Sequence, residues 1–379
     1  MKVVVATDSF KGTLRADEAC EIIADAIRNT LSDVVVVLKP MADGGEGTAK
    51  AMIKAADGQW IPQTVIGPLP EMQVEAGFAW FADETALVEM ASASGLELLS
   101  SGQMNPLKTT TFGTGQLIRA AVEYGAKKVL LAVGGSATVD GGLGAAAALG
   151  WKFLDDEGNQ VALGGQGLAT LARIIRPEPD VLLATRGRIP VEVLCDVDNP
   201  LCGEHGAAKV YGPQKGATPK MVEQLETGLK NLAHLVREQL GREIESLPGA
   251  GAAGGLGAGA AAFMDASIVS GIETVMARSN LNAELASADW VITGEGSFDR
   301  QSLYGKVVSG ILKMAGQSNT RVAVLAGQVR LPEELWRKNG IVAVIATKPD
   351  DASLDYALKN SRTLLASAAQ RLTQEHLSG

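Results

Sequence analysis

Three features of the chain predict an α/β fold in two domains. Its 379 residues exceed the roughly 250 to 300 at which a single hydrophobic core stops growing. Apolar strands alternate with amphipathic helices at both ends, as the crossovers of a parallel sheet require. Between about residues 61 and 89 that rhythm gives way to short segments divided by Gly-Pro and Asp-Glu pairs, the texture of hairpins.

Residues 3–6 are an apolar run of the kind buried in parallel sheets. After DSFKG, Ala19, Ile22, Ile23, Ala26 and Ile27 recur at helical spacing and form one apolar face. Residues 34–38 read as a second strand, stopped by Pro40, and a helix over 48–56 follows ADGGEG. Segments 73–81 and 86–90 read as hairpin strands. A helix near 116–124, a strand at 129–133, a Gly/Ala helix from about Gly142, a strand at 191–195 and an amphipathic helix at 221–240 fill the middle. From Ala288 the opening rhythm returns, with strands at 290–293, 322–325 and 342–346 and helices at 303–315, 332–338 and 354–372. The two ends, residues 1–65 and 285–379, are expected to share one doubly wound, flavodoxin- or Rossmann-like parallel sheet, with 66–284 inserted as a mixed α/β domain. No fixed period recurs, which argues against a solenoid.

Composition narrows the function. With 34 basic against 43 acidic residues the net charge is −9, and no Lys/Arg cluster tracks a phosphate backbone, so nucleic acid is not an expected partner. The opening MKVVVATDSFKG meets a charge by Asp8 and is neither a signal peptide nor a membrane span, so a cytoplasmic protein is expected. Three cysteines are too few and too scattered for a disulfide framework or a zinc ribbon. Of three histidines, His376 is near the end, which limits an imidazole base to His205 or His234, and His234 sits in a helical pattern where a surface or packing role is expected. The 44 glycines cluster beside acidic residues, as loops that let backbone approach a ligand would.

The same local plan of apolar strand, acidic loop and helix recurs at residues 7–12, 42–48, 134–142, 195–201 and 293–299. Ligands of parallel α/β sheets sit beyond the carboxyl ends of the strands, so these loops are expected to converge on one cleft between the domains. Asp8, Asp43, Glu46, Asp140, Asp196, Asp198, Glu295 and Asp299 would repel one another there unless a cation or proton were shared. Mg²⁺ suits such hard oxygen ligands and travels with nucleotide phosphates. Lys11, Lys215 and Lys306 are placed to bind phosphate or a substrate carboxylate. Together these groups equip a site for phosphoryl transfer, which depends mainly on positioning and charge neutralisation.

The stretch GAGAAGGLGAGAA, residues 249–261, contains G-x-G-x-x-G, yet charged, proline-ended GREIESLP precedes it where a dinucleotide fingerprint needs a strand. No Walker A loop occurs. Two readings of the glycine run remain: an anion site ahead of a helix at about 256–266, or close helix packing. In the strand-ending CDVDNP, Asp196-x-Asp198 resembles a phosphatase nucleophile loop, but Pro200 stands where Thr or Val is usual.

DSFKG, ADGGEGT, GGSAT-x-DGG, CDV-x-NPL, GPQKGA, GAGAAGGLG, TGEG and Asp299-x-Gln301-Ser302 with Gly305-Lys306, in this order, resemble the type 1 glycerate kinases, specifically the bacterial glycerate 2-kinase group. The resemblance implies transfer of the γ-phosphoryl of ATP to D-glycerate with Mg²⁺, usually at the 2-hydroxyl, within two α/β domains. Transfer to the 3-hydroxyl is the first alternative, and a nicotinamide-dependent hydroxy-acid dehydrogenase a more distant one. On this reading Lys11, Lys215, Lys306, Asp43, Glu46, Asp196, Glu295 and Asp299 are expected to be catalytic, with Asp196 first choice as base. Asp43, Asp196 and Glu295 would ligate Mg²⁺. Gly134, Gly135, Ser136, Asp140, Gly251, Gly254, Gly255 and Gly257 would contact nucleotide. The sequence is compatible with a homo-oligomer. One departure is Ser297, where the family pattern is expected to carry Arg.

Overall fold

The computed structural model describes residues 1–45, 47–178, 189–304 and 306–378. The chain divides into two compact units, one formed by Met1–Asp43, Lys50–Gly58 and Gly271–Gly379, the other by Gly44–Ala49 and Gln59–Ser270.

The first unit is a doubly wound layer built on β1 (Lys2–Val5), β2 (Val35–Leu38), β11 (Trp290–Phe298), β12 (Arg321–Val329) and β13 (Ile341–Ala346), numbered in chain order. All pairs are parallel, in the order β13-β12-β11-β1-β2. The first helix, Ala16–Thr30, buries Ala19, Cys20, Ile23 and Ile27, the face its sequence spacing marks. With Val3, Val5, Trp290, Ile292, Leu325 and Leu365 these residues form one core. Each fully buried aliphatic side chain there contributes about 1.5–3 kcal/mol of transfer free energy.

Two of the boundaries that differ from the sequence reading have a plain physical reason. β11 continues through Gly294-Glu295-Gly296-Ser297 to Phe298 instead of turning after Thr293, because β12 runs alongside with Glu295 opposite Ala326 and Ser297 opposite Gln328. A Cβ on Gly294 would overlap the Leu325 carbonyl, so glycine here serves close strand approach and not a turn. The last expected helix is two, Leu354–Lys359 and Ser361–Leu372, broken at Asn360 (φ −109°, ψ 16°).

The second unit carries the mixed sheet expected of the middle segment. Its order is β10-β9-β6-β5-β4-β3, comprising β3 (Gln59–Ile66), β4 (Gln73–Trp80), β5 (Thr85–Glu89), β6 (Lys128–Ala132), β9 (Val191–Leu194) and β10 (Ser267–Val269). β3, β4 and β5 pair antiparallel, whereas β5, β6, β9 and β10 are parallel. A separate hairpin joins β7 (Lys152–Leu154) and β8 (Arg173–Ile175). The helix Pro219–Leu240 is capped by the Thr218 hydroxyl and ended by left-handed Gly241, and it buries Leu225, Leu229, Leu232 and Val236. None of the helices among the described residues is long and apolar enough to cross a membrane.

Candidate active site

In the first unit the candidate side chains gather where β1 ends beside Gly294-Glu295 of β11. Val5 lies beside Ile292, and the pairing continues as Ala6 N donates to Ile292 O at 2.8 Å and Asp8 N to Gly294 O at 2.9 Å. Asp8 therefore leaves the carboxyl end of the sheet next to Glu295, the usual location of ligand chemistry in parallel folds. Burial, followed by the charges of Asp43 and Glu295, pushes the Asp8 carboxyl up to about 7, against the Ser9 amide at 2.6 Å and the Lys11 ammonium. Glu295, only 8 % exposed, is raised as well: burial leads, Asp299 and Asp43 add to it, and the Ser302 hydroxyl and Lys306 oppose it.

Thr293 Oγ1, Glu295 Oε1 and Ser297 Oγ are buried atoms without a hydrogen-bond partner among the described residues. Alternate residues of a strand face the same side, so these three oxygens line one side of β11. Buried polar atoms of this kind are uncommon and take a water, an ion or a ligand as partner.

Other expected residues have local tasks. The Asp299 carboxylate accepts from Gln301 N at 2.8 Å while Asp299 N donates to Ser302 Oγ at 3.0 Å, which fixes the turn before Lys306. Lys306 N donates to Ser309 Oγ at 3.0 Å as the helix Val307–Ser318 begins. Lys11 is exposed in the turn after Phe10. Glu46 and Gly305 lie outside the described residues.

The second unit gathers another set. Lys215 is 2 % exposed, and its amine donates to Ser136 Oγ at 2.6 Å and to Thr138 O at 2.8 Å. Burial pulls this ammonium down to about 7, with the charge of Asp140 acting the other way. Asp140 is fully buried, and its carboxylate accepts from Thr111 N at 2.8 Å, Thr111 Oγ1 at 2.9 Å, Gly142 N at 3.1 Å and Gly144 N at 3.3 Å. Burial raises its pKa against those bonds. These contacts make Asp140 the organiser of its own loop. Gly134 N donates to Gly44 O at 3.2 Å, and Gly135 O accepts from Leu96 N at 2.8 Å.

Asp196 is exposed just past β9, where it accepts from Ser270 Oγ at 2.7 Å just past the neighbouring β10. Next to it, Asn199 is held by the Tyr211 hydroxyl at 2.6 Å and donates to His205 O at 2.8 Å. Among the described residues no three His, Cys, Asp or Glu side chains converge as a cage for a metal ion.

Gly251, Gly254, Gly255 and Gly257 are buried, and protein occupies the space a side chain would need. A Cβ would overlap the Pro200 carbonyl at Gly251 and the Thr138 carbonyl at Gly254. It would come within 2.9 Å of Gly141 Cα at Gly255 and 2.6 Å of the Gly249 carbonyl at Gly257. Of the two readings of the glycine run, close packing accounts for the missing side chains. The helix Ala252–Phe263 opens with Ala253, Gly254 and Gly255 at φ 53°, 69° and 92°, so regular turns start only near Leu256.

Three residues were not assigned roles from sequence. Asp8 is one carboxylate among eight until the β1–β11 pairing places it beside Glu295. Thr138 contributes its carbonyl, which no side-chain pattern reports. Glu89 ends β5 and accepts from Gly47 N at 2.7 Å and Ala49 N at 3.0 Å; an acid closing an apolar strand run was the available signal.

The Glycerate kinase family model matches residues 3–377. The chain is 42% identical to a glycerate kinase of Halalkalibacterium halodurans over 371 residues, covering 98% of this chain and 97% of that one. It is 40% identical to the glycerate 2-kinase of Escherichia coli K12 over 373 residues, with 98% and 97% covered. A crystal structure ascribed to glycerate kinase 2 of Salmonella typhimurium LT2 superposes with a TM-score of 0.85 at 42% identity, covering 100% of this chain and 99% of that one. With motifs, fold and near full-length relatives in agreement, the chain belongs to the glycerate kinase family.

Proposed function

We propose that the protein transfers the γ-phosphoryl group of ATP to the 2-hydroxyl of D-glycerate, giving 2-phosphoglycerate and ADP. Kinase chemistry follows from family membership. The choice of hydroxyl is supported by one observation, the 40% identity to a relative named glycerate 2-kinase.

The residues divide the work by charge. Lys11, Lys306 and Lys215 neutralise the substrate carboxylate and the phosphoryl oxygens, whose charge spreads in the transition state. Asp196 takes the hydroxyl proton as the substrate oxygen bonds to the γ-phosphorus and the bond to the β-phosphate oxygen breaks, so that ADP leaves with the electron pair. The oxygen-rich set along β11, beside the end of β1, suits Mg²⁺, which keeps several waters and so needs no three-ligand protein cage. Asp43 and Glu295, with Asp8 beside them, would hold that ion, which when bound supplies countercharge to the phosphates.

Phosphorus NMR of the product formed from D-glycerate and ATP tests the assignment. The 2-phosphoglycerate resonance is expected; 3-phosphoglycerate as the sole product would overturn the 2-hydroxyl reading while leaving the kinase intact.

A further inference from the structure

We infer that Gly254 and Ser136 are positioning residues for phosphoryl transfer: they fix the amine of Lys215, and the glycine run acts as a brace on the loop that holds it. This rests on the reading that Lys215 acts as a cation on substrate or phosphate.

The amine of Lys215 has two described partners, the Ser136 hydroxyl at 2.6 Å and the Thr138 carbonyl at 2.8 Å. The second acceptor is part of the backbone, so whatever sets the course of residues 138–142 sets the lysine. The glycine run sets that course together with the hydrogen bonds of Asp140. The Thr138 carbonyl lies against Gly254 Cα, where any Cβ would overlap it and would also come 2.6 Å from Val139 Cα. Gly141 N donates to Gly254 O at 3.1 Å and locks the two segments in register. Further along, Gly255 packs on Gly141, and a Cβ on Gly259 would come 2.9 Å from Gly142 Cα and overlap the Gly141 carbonyl. The contact is backbone on backbone at three points, joined at Gly255 by the side chains of Leu201 and Leu229.

At positive φ, Gly254 also adopts a conformation that L-residues rarely take. One residue thus satisfies two constraints, and both bear on the carbonyl that accepts the Lys215 hydrogen bond. Asp140 is the charged side chain that bears on the amine, and its own carboxylate is tied to Thr111, Gly142 and Gly144. The Ser136 oxygen accepts from the ammonium and favours its charged form. Removing that oxygen lowers the pKa of Lys215, so activity that needs the cation is lost at a lower pH.

Ser136→Ala in the full-length enzyme is the decisive variant because it removes one small atom group and adds no bulk. With glycerate and ATP across pH 6 to 9, kcat/KM is expected to fall on the order of tenfold. Its basic limb is expected to move to lower pH by about half a unit or more, and Ser136→Thr, which keeps the hydroxyl, is expected to restore the limb. Gly254→Ala should reproduce the shifted limb if it folds. A Ser136→Ala profile that superimposes in shape on that of the unsubstituted enzyme overturns the inference, since a merely structural loss lowers turnover without moving the limb. Lys215→Met separates the underlying reading: undiminished ADP formation in that variant would remove Lys215 from catalysis, whatever Ser136 does.

Discussion

A lysine sealed in a protein interior is a pH-dependent element of stability. Lys215 has an ordinary pKa near 10.5 when the chain is unfolded and about 7 in the fold. Between those values the unfolded chain binds a proton that the native protein does not, so stability rises with pH across that window. The buried thiols of Cys20 and Cys202, raised to about 11 and 12 from 9, act in the opposite sense only above pH 9. Asp8, raised to about 7, works in the opposite sense up to and around that pH; urea midpoints are therefore expected to increase from pH 7 to pH 9, and not to rise in Lys215→Met, and equal slopes for both proteins would contradict the assignment. Asp196→Asn is expected to lower kcat by about 100-fold or more, the loss typical of a missing general base, measured by coupled ADP release at saturating substrates. Residue identity was legible from sequence to this depth: the lysines and carboxylates could be found, but their environments could not. Nothing in YGPQKGA states that its lysine is buried while the lysine of DSFKG is exposed, because burial is decided by segments far away in sequence.

At the scale of elements, periodicity carried most of the information. The helix Ala16–Thr30 buries the face its spacing marks, and the hairpins of the second unit fall where turn residues divide apolar runs. The reading failed where glycine has two meanings. In TGEGSFD it suggested a loop, yet the segment is strand, because glycine lets β12 come close and the polar side chains lie along the sheet. Sequence alone lacks the neighbour that separates these cases. Glu89 provides an element-level test, since its carboxylate receives two backbone amides at the start of the helix Thr48–Ala56. Glu89→Gln replaces one oxygen with an N–H donor facing an amide and should cost about 1–3 kcal/mol, read from the denaturant midpoint. A midpoint within a few tenths of a kcal/mol would show that the pair contributes little.

Within each unit the candidate residues lie at or near the ends of parallel strands, which is why widely spaced motifs each follow an apolar run. ADP formation is expected to require both glycerate and Mg²⁺, and to be abolished by EDTA and restored by added magnesium. Full turnover in EDTA would refute the ion's role. The packing of the glycine run has a consequence for how this chain can evolve. Every amino-acid-changing mutation of a glycine codon introduces at least a Cβ, and at Gly251, Gly254 and Gly259 that atom overlaps a main-chain carbonyl. The genetic code thus offers these positions no neutral neighbour, whereas Leu256 between them has apolar exchanges of similar volume within reach. Substitutions at these positions are therefore expected to act on shape first, whatever else the run contacts.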